Sequence, residues 1–297
     1  MKARRYLLLG AAALFALTSA QAQQLTGTLQ RIKETGEIRL GHRDVSVPFS
    51  YLTDEGKPIG LFMEVCARIV DEIKAELKQD VKVVLRPMTI ATFVPLLQNQ
   101  SIDIGCGPAT NTVERQKQVA FSDTVFVASI RTLVKKDSGI NKMDDLKDKT
   151  VSLTSGSTAV GLMTKYEQDH KFETKKLLNP DHAQSFLMFN SGRAQAFVMD
   201  DIFLAGQVAN QAKPGDYKIL DEWLRVEPYG LAMRKDDPQF KALVDRTLRT
   251  MFKNGEFAKL YAKWLESPIP PKNVNLNFPM TPPLKDAIAN PNDKGVE

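Results

Sequence analysis

The chain has 297 residues, 43% hydrophobic and 25% charged, with a formal net charge of +5. That is the composition of a soluble globular protein, long enough for two domains of ordinary size. Lys2, Arg4 and Arg5 fall in an expected leader, so the mature balance is about +2 (5 − 3), too small and too scattered to argue for nucleic acid or an anionic membrane.

Residues 1–22 read as a secretory signal. MKARR is the positive region, YLLLGAAALFAL an apolar core of about a dozen residues, too short for a membrane span, and Ala20 and Ala22 take the A-x-A positions before cleavage. LQRIKETG then predicts a helix, EIRLGHRD a strand and loop, and VPFSYLTDEGKPIG an irregular hairpin turning at Gly56 and Pro58. In LFMEVCARIVDEIKAELK, Leu61, Val65, Ile69, Ile73 and Leu77 recur every four residues, which predicts a helix with one apolar face. VKVVLRPM, the short helix TFVPLLQNQ and the strand SIDIGCG complete a β-α-β-α-β unit. A second unit repeats that grammar without repeating the sequence: TVSLTSGST, AVGLMTKYEQDH, FETKKLL, DHAQSFLMFNSGR, AQAFVMDD, FLAGQVANQA and YKILDEW. YGLAMRKDD returns as a strand, two helices follow through EFAKLYAKWLE, and Pro268, Pro270 and Pro271 end the last of them. The remaining tail, rich in Pro and Asn, is expected to lie as an extended surface strap.

The fold expected is α/β and two-lobed, each lobe a mostly parallel sheet flanked by helices. Residues 23–129 and 226–297 form the first lobe, 130–225 the second, and two extended connections near TVFVASIRT and VEPYGLAM form the hinge. Ligands in such folds sit between the lobes at the carboxyl ends of the strands. Two cysteines, Cys66 and Cys106, behind an export signal point to a disulfide, worth roughly 4 kcal/mol for a loop of this length. Two buried free thiols are the alternative, decided by whether the Cα atoms come within bridging distance.

The segment CGPATNTVERQKQVAFSD follows the strand SIDIG. It sets Thr110 and its neighbouring hydroxyls and N–H groups beside Arg115, whose planar fork suits a carboxylate. Asp200 ends the apolar strand AQAFVMDD, where a carboxylate can meet an ammonium; Asp201 is the alternative and can instead cap the next helix. TSGST places Ser157 and Thr158 at a helix start beside Gly156, without the lysine or spacing of a nucleotide-binding loop.

The segment closely resembles the ligand loop of bacterial periplasmic amino-acid-binding proteins, the solute receptors of ABC importers, and in particular their glutamate/aspartate branch. The resemblance runs from RIKETGEIRLGHR through VERQKQVAFSDT and SGRAQAF to RKDDPQFK and PIPPKN. It implies a type II periplasmic-binding-protein fold and a monomer in the periplasm. Such a receptor holds an L-amino acid and partners an inner-membrane permease, with no cofactor, metal or catalytic residue. The T-x-x-x-x-R pattern is intact as TNTVER, which assigns Thr110 and Arg115 to the α-carboxylate. The first Asp of the MDD pair, Asp200, is assigned to the ammonium, helped by carbonyls at Gly107–Pro108; Arg43 and His182 fall to the ligand side chain.

The sequence departs from that branch in PMTIATFVPLLQ, where Ile90 and Phe93 stand in place of a Ser and an Arg. Losing that Arg would cost a buried distal carboxylate about 2–5 kcal/mol. The expectation is therefore a neutral, more apolar side chain, with Arg43 turned to a side-chain carbonyl or to an internal partner such as Asp44 or Glu64; the alternative is that Phe93 packs into the core and Arg43 suffices. Two rival readings are a dehydratase-like enzyme using His182, Asp200 or Glu64 as acid or base, and a ligand-sensing partner of a chemoreceptor.

Overall fold

The computed structural model describes residues 24–297; the leader expected over residues 1–22 lies outside that range. Two sheets carry the fold. In the first, the strand order is Lys82–Pro87, Glu37–His42, Ile104–Gly105, Ala232–Arg234, Val119–Phe121. The first three run parallel and the last two are added antiparallel. In the second, the order is Lys175–Asn179, Thr150–Thr154, Ala196–Asp200, Phe126–Lys135, Tyr217–Ile219. Again three strands are parallel, and Phe126–Lys135 runs antiparallel to both its neighbours. Each lobe is thus a parallel β-α-β core finished by antiparallel strands, because the chain must turn back to change lobes.

Parallel neighbours require crossovers, and helices supply them. Leu61–Leu77 crosses between the first two strands of the chain's first sheet, with Leu61, Val65, Ile69, Ile73 and Leu77 all buried. Cys66 on that helix is bonded to Cys106, with Cα atoms 6.0 Å apart, so the helix is tied covalently to the strand end that opens the TNTVER loop.

The connections near TVFVASIRT and VEPYGLAM pair with each other. Phe126–Ser129 lies antiparallel against Val226–Tyr229, and the rest of the ten-residue strand Phe126–Lys135 continues into the second sheet. A cluster of rings packs at this crossing. Phe49 lies 4.7 Å from Phe126, 5.9 Å from Tyr229 and 5.8 Å from Phe203, the last contact joining the two lobes.

The tail differs from the extended strap expected. Pro282–Ala289 is a helix whose N-cap Thr281 accepts from the Leu284 N–H, with proline at its start and Leu284 fully buried in the main core. Threonine followed by proline is a helix-start signal, and Leu284, Ala287 and Ile288 give the helix its apolar face. Truncating Leu284 to Ala is expected to cost about 2–4 kcal/mol of stability through the cavity left behind, read as a lower denaturant midpoint at unchanged slope.

Candidate functional site

A narrow cavity lies between the lobes, lined by Ile90, Pro108, Thr110, Arg115, Ser157, Thr158, His182 and Asp200. Eight of the ten ligand residues expected from sequence therefore meet at one place. Arg43 and Phe93 do not line it. Met199, Phe203 and Tyr229 do, and sequence reasoning missed them. Met199 and Phe203 flank the aspartate pair and Tyr229 sits in the returning hinge strand, so their placement was available, but each reads as ordinary core.

Arg115 is held by its own loop. Its N–H donates to the Thr112 hydroxyl at 3.1 Å, and one guanidinium nitrogen donates to the Thr110 carbonyl at 2.9 Å. The other donates across the cleft to the Gly156 carbonyl at 3.0 Å, a direct tie between the lobes. Gly156 has φ +77, and a Cβ there would stand 3.1 Å from the Ala91 backbone, so glycine is needed for the close approach. The Phe93 ring lies 5.3 Å from the Arg115 guanidinium carbon, a cation–π contact that desolvates and orients the charge. Burial pulls the Arg115 pKa down, opposed by the charges of Glu227 and Asp200.

The two aspartates separate cleanly. One Asp201 oxygen accepts from the Ser129 N–H at 3.2 Å and from its helix at Ile202 N–H at 2.8 Å. Asp200 is buried at the strand end, and its Oδ1 has no partner among the described residues. Burial first, then the Glu227 carboxylate, raises its pKa to about 8, with the Tyr229 hydroxyl opposing. Glu227, wholly buried in the hinge, is matched instead by Arg225 Nε at 2.8 Å and by the Thr158 hydroxyl at 3.0 Å. Ser157 turns its hydroxyl to the Thr154 carbonyl at 2.7 Å.

His182 is buried, its Nδ1 3.0 Å from the Thr154 hydroxyl and its ring against Phe203. Burial and the charge of Arg43 lower its pKa to about 3, so it is neutral at any physiological pH. Arg43 itself is 3% exposed. Its stem passes over Gly107, where a Cβ would come within 2.5 Å of Arg43 Cγ. Burial lowers its pKa to about 10, and its field reaches His182 on the cavity wall.

A neutral-ligand reading needs an acceptor for this guanidinium, and the internal partners expected do not provide one. Asp44 lies 3.2 Å from His42 Nδ1, and Glu64 pairs with Lys263 at 2.5 Å. Among the described residues the Arg43 guanidinium has neither a hydrogen bond nor an ion pair. Two guanidinium groups therefore bear on the cleft, Arg115 half-buried on its wall and Arg43 buried behind that wall next to His182, while the wall's carboxylate, Asp200, has no ion pair among the described residues. Among the described residues no group of His, Cys, Asp and Glu is arranged to hold a metal ion.

Residues 38–267 match the model of the bacterial extracellular solute-binding proteins, family 3. The chain is 46% identical over 294 residues to an L-glutamate/L-aspartate-binding protein of Pseudomonas aeruginosa, covering 98% of this chain and 97% of that one. It is 44% identical over 270 residues to a glutamate/aspartate import solute-binding protein of Escherichia coli, covering 91% and 89%. Among solved structures, an arginine-binding protein mutant from T. maritima superposes with a TM-score of 0.70 at 29% identity, covering 80% of this chain and 98% of that one. An ancestral amino acid-binding protein, a precursor of cyclohexadienyl dehydratase, superposes at 0.69 with 31% identity, covering 80% and 99%.

The raised Asp200 pKa carries a sign for stability. Between its ordinary value of 3.8 and about 8 the folded protein holds a proton that the unfolded chain has released, so this group's contribution falls as pH rises through that window. Asp200→Asn is therefore expected to gain stability over wild type between pH 5 and pH 9, by at least about 1 kcal/mol, in denaturant unfolding without ligand. A difference independent of pH would contradict the burial argument.

Proposed function

The chain belongs to family 3 of the bacterial extracellular solute-binding proteins, and we propose that it captures an acidic L-amino acid, glutamate or aspartate, between its closing lobes. It is an amino-acid receptor for ABC import rather than an enzyme, as are the relatives that match it over nearly their full length. In the finer reading, residues 1–22 are cleaved on export, the mature protein works in the periplasm as a monomer, and it hands its ligand to an inner-membrane permease.

The observation that carries the ligand assignment is Arg43, a buried cation whose guanidinium makes no hydrogen bond or ion pair among the described residues and whose burial the nearby charges of Asp181 and Asp44 only partly offset. Such a group is costly unless something pairs with it. Once a ligand ammonium draws the proton from Asp200, the guanidiniums of Arg43 and Arg115 exceed that carboxylate by one charge. A zwitterion leaves that excess in place, and an amino acid with one further negative charge removes it. In this reading Arg115 and Thr110 take the α-carboxylate, and Asp200 with the carbonyls at Gly107–Pro108 takes the ammonium. Arg43 takes the distal carboxylate, beside a neutral His182. Ser157 and Thr158 close the second lobe over the ligand. Ile90 contributes an apolar wall, and Phe93 acts through Arg115.

Calorimetry with the twenty amino acids tests this. L-Glutamate or L-aspartate is expected to bind more tightly than any neutral amino acid, and Arg43→Met to weaken that binding by about 2–5 kcal/mol, roughly 30-fold or more, while leaving unfolding cooperative. Tighter binding of a neutral amino acid by the wild type would overturn the ligand assignment.

A further inference from the structure

Residues 292–297 lie along the ligand loop. The Val296 N–H donates to the Asn111 carbonyl at 3.0 Å, and the Val113 N–H donates back to the Val296 carbonyl at 2.9 Å. The side-chain amides of Asn111 and Gln116 both donate to the Asp293 carbonyl, at 2.9 and 2.8 Å. The Asp293 carboxylate is fixed in turn by Lys241 at 3.0 Å. Gly295 passes so close that a Cβ would stand 3.0 Å from the Val113 nitrogen. These bonds grip residues 111–116, the stretch that runs from beside Thr110 through Arg115.

The same segment reaches the hinge. Arg225 donates to the Glu297 carbonyl and, at 2.8 Å, to Glu227, whose other oxygen accepts from Thr158 at 3.0 Å. One short stretch of chain is thus bonded to the first-lobe ligand loop and, through two residues, to a cavity-lining residue of the second lobe. These contacts are hydrogen bonds and ion pairs, so their work is geometric.

We propose that residues 292–297 are a positioning strap: they hold the Thr110–Arg115 loop, and through Arg225 and Glu227 they hold Thr158, in the arrangement that receives the ligand. The proposal deepens the amino-acid reading of the cleft and rests on it for its affinity arm. A second arm does not.

Two variants separate the outcomes: Gly295→Val, which forces the strap off Val113, and a chain ending at Pro291. Without any amino acid, hydrogen exchange at the amides of residues 111–116 is expected to quicken at least about tenfold in both, while the Leu61–Leu77 helix keeps its protection. With L-glutamate, affinity is expected to fall at least about tenfold, and a synthetic peptide spanning residues 290–297 to restore part of it to the shortened chain. Unchanged exchange at 111–116 in either folded variant overturns the strap, whatever the ligand. Wild-type protein that binds no acidic amino acid sinks the ligand assignment instead, and the exchange comparison still decides the strap.

Discussion

Two guanidinium groups, Arg115 half-buried on the cleft wall and Arg43 buried behind it, set the terms for everything else in this protein. Arg115 is satisfied from both lobes, by the Thr110 and Gly156 carbonyls and by the Phe93 ring. The Arg43 guanidinium makes no hydrogen bond or ion pair among the described residues, and the charges of Asp181 and Asp44 only partly offset its burial. An uncompensated charge held out of water is normally removed by evolution or by a shift in protonation, and an arginine cannot lose its proton at physiological pH. Its retention is understandable if a ligand atom completes it. The same logic applies with opposite sign to Asp200, whose free Oδ1 and raised pKa mark a carboxylate waiting for a cation.

The fold delivers these groups by simple means. Each comes from a loop or strand end at the carboxyl edge of a parallel core: Arg43 after Glu37–His42, Arg115 after Ile104–Gly105, His182 after Lys175–Asn179 and Asp200 at the end of Ala196–Asp200. The antiparallel hinge strands then allow the two edges to face each other. Glycines at 107 and 156 remove the side chains that would keep Arg43 from its place and the lobes from closing. The Arg115–Gly156 bond, the Phe49–Phe203 ring contact, the Thr158–Glu227 bond and the close approach at Gly156 all tie the second lobe to the first and the hinge.

Much of this was legible in the sequence, because the relevant residues are polar and occur where a strand pattern stops. Thr110 and Arg115 lie in the polar segment that follows the strand Ile104–Gly105, Asp200 ends an apolar run, and that break in pattern is itself the signal. Asp200 and Asp201 were readable as alternatives, and they differ in their bonding: an Asp201 oxygen accepts from the Ser129 and Ile202 N–H groups, while Asp200 Oδ1 has no partner among the described residues. Tyr229, Phe203 and Met199 were not legible, since an apolar residue on a cavity wall has the same pattern as one in the core. Nor was the partner of Arg43. Asp44 is adjacent in sequence, yet its carboxylate lies beside His42 and half in solvent, while Glu64 is drawn off by Lys263 from nearly two hundred residues away. Pairing of this kind depends on rotamers and long-range packing, which periodicity does not encode. The helix Pro282–Ala289 was overlooked for a different reason: its proline content suggested an extended tail, although proline at a helix start is favourable.

The central claim is that Arg43 is completed by the ligand. A crystal structure of the protein with its bound amino acid tests it most directly. A ligand oxygen is expected within about 3.2 Å of the Arg43 guanidinium, and the ligand ammonium at Asp200 Oδ1. A bound ligand that leaves Arg43 untouched, with the guanidinium turned to Asp44, Glu64 or another internal carboxylate, would contradict it.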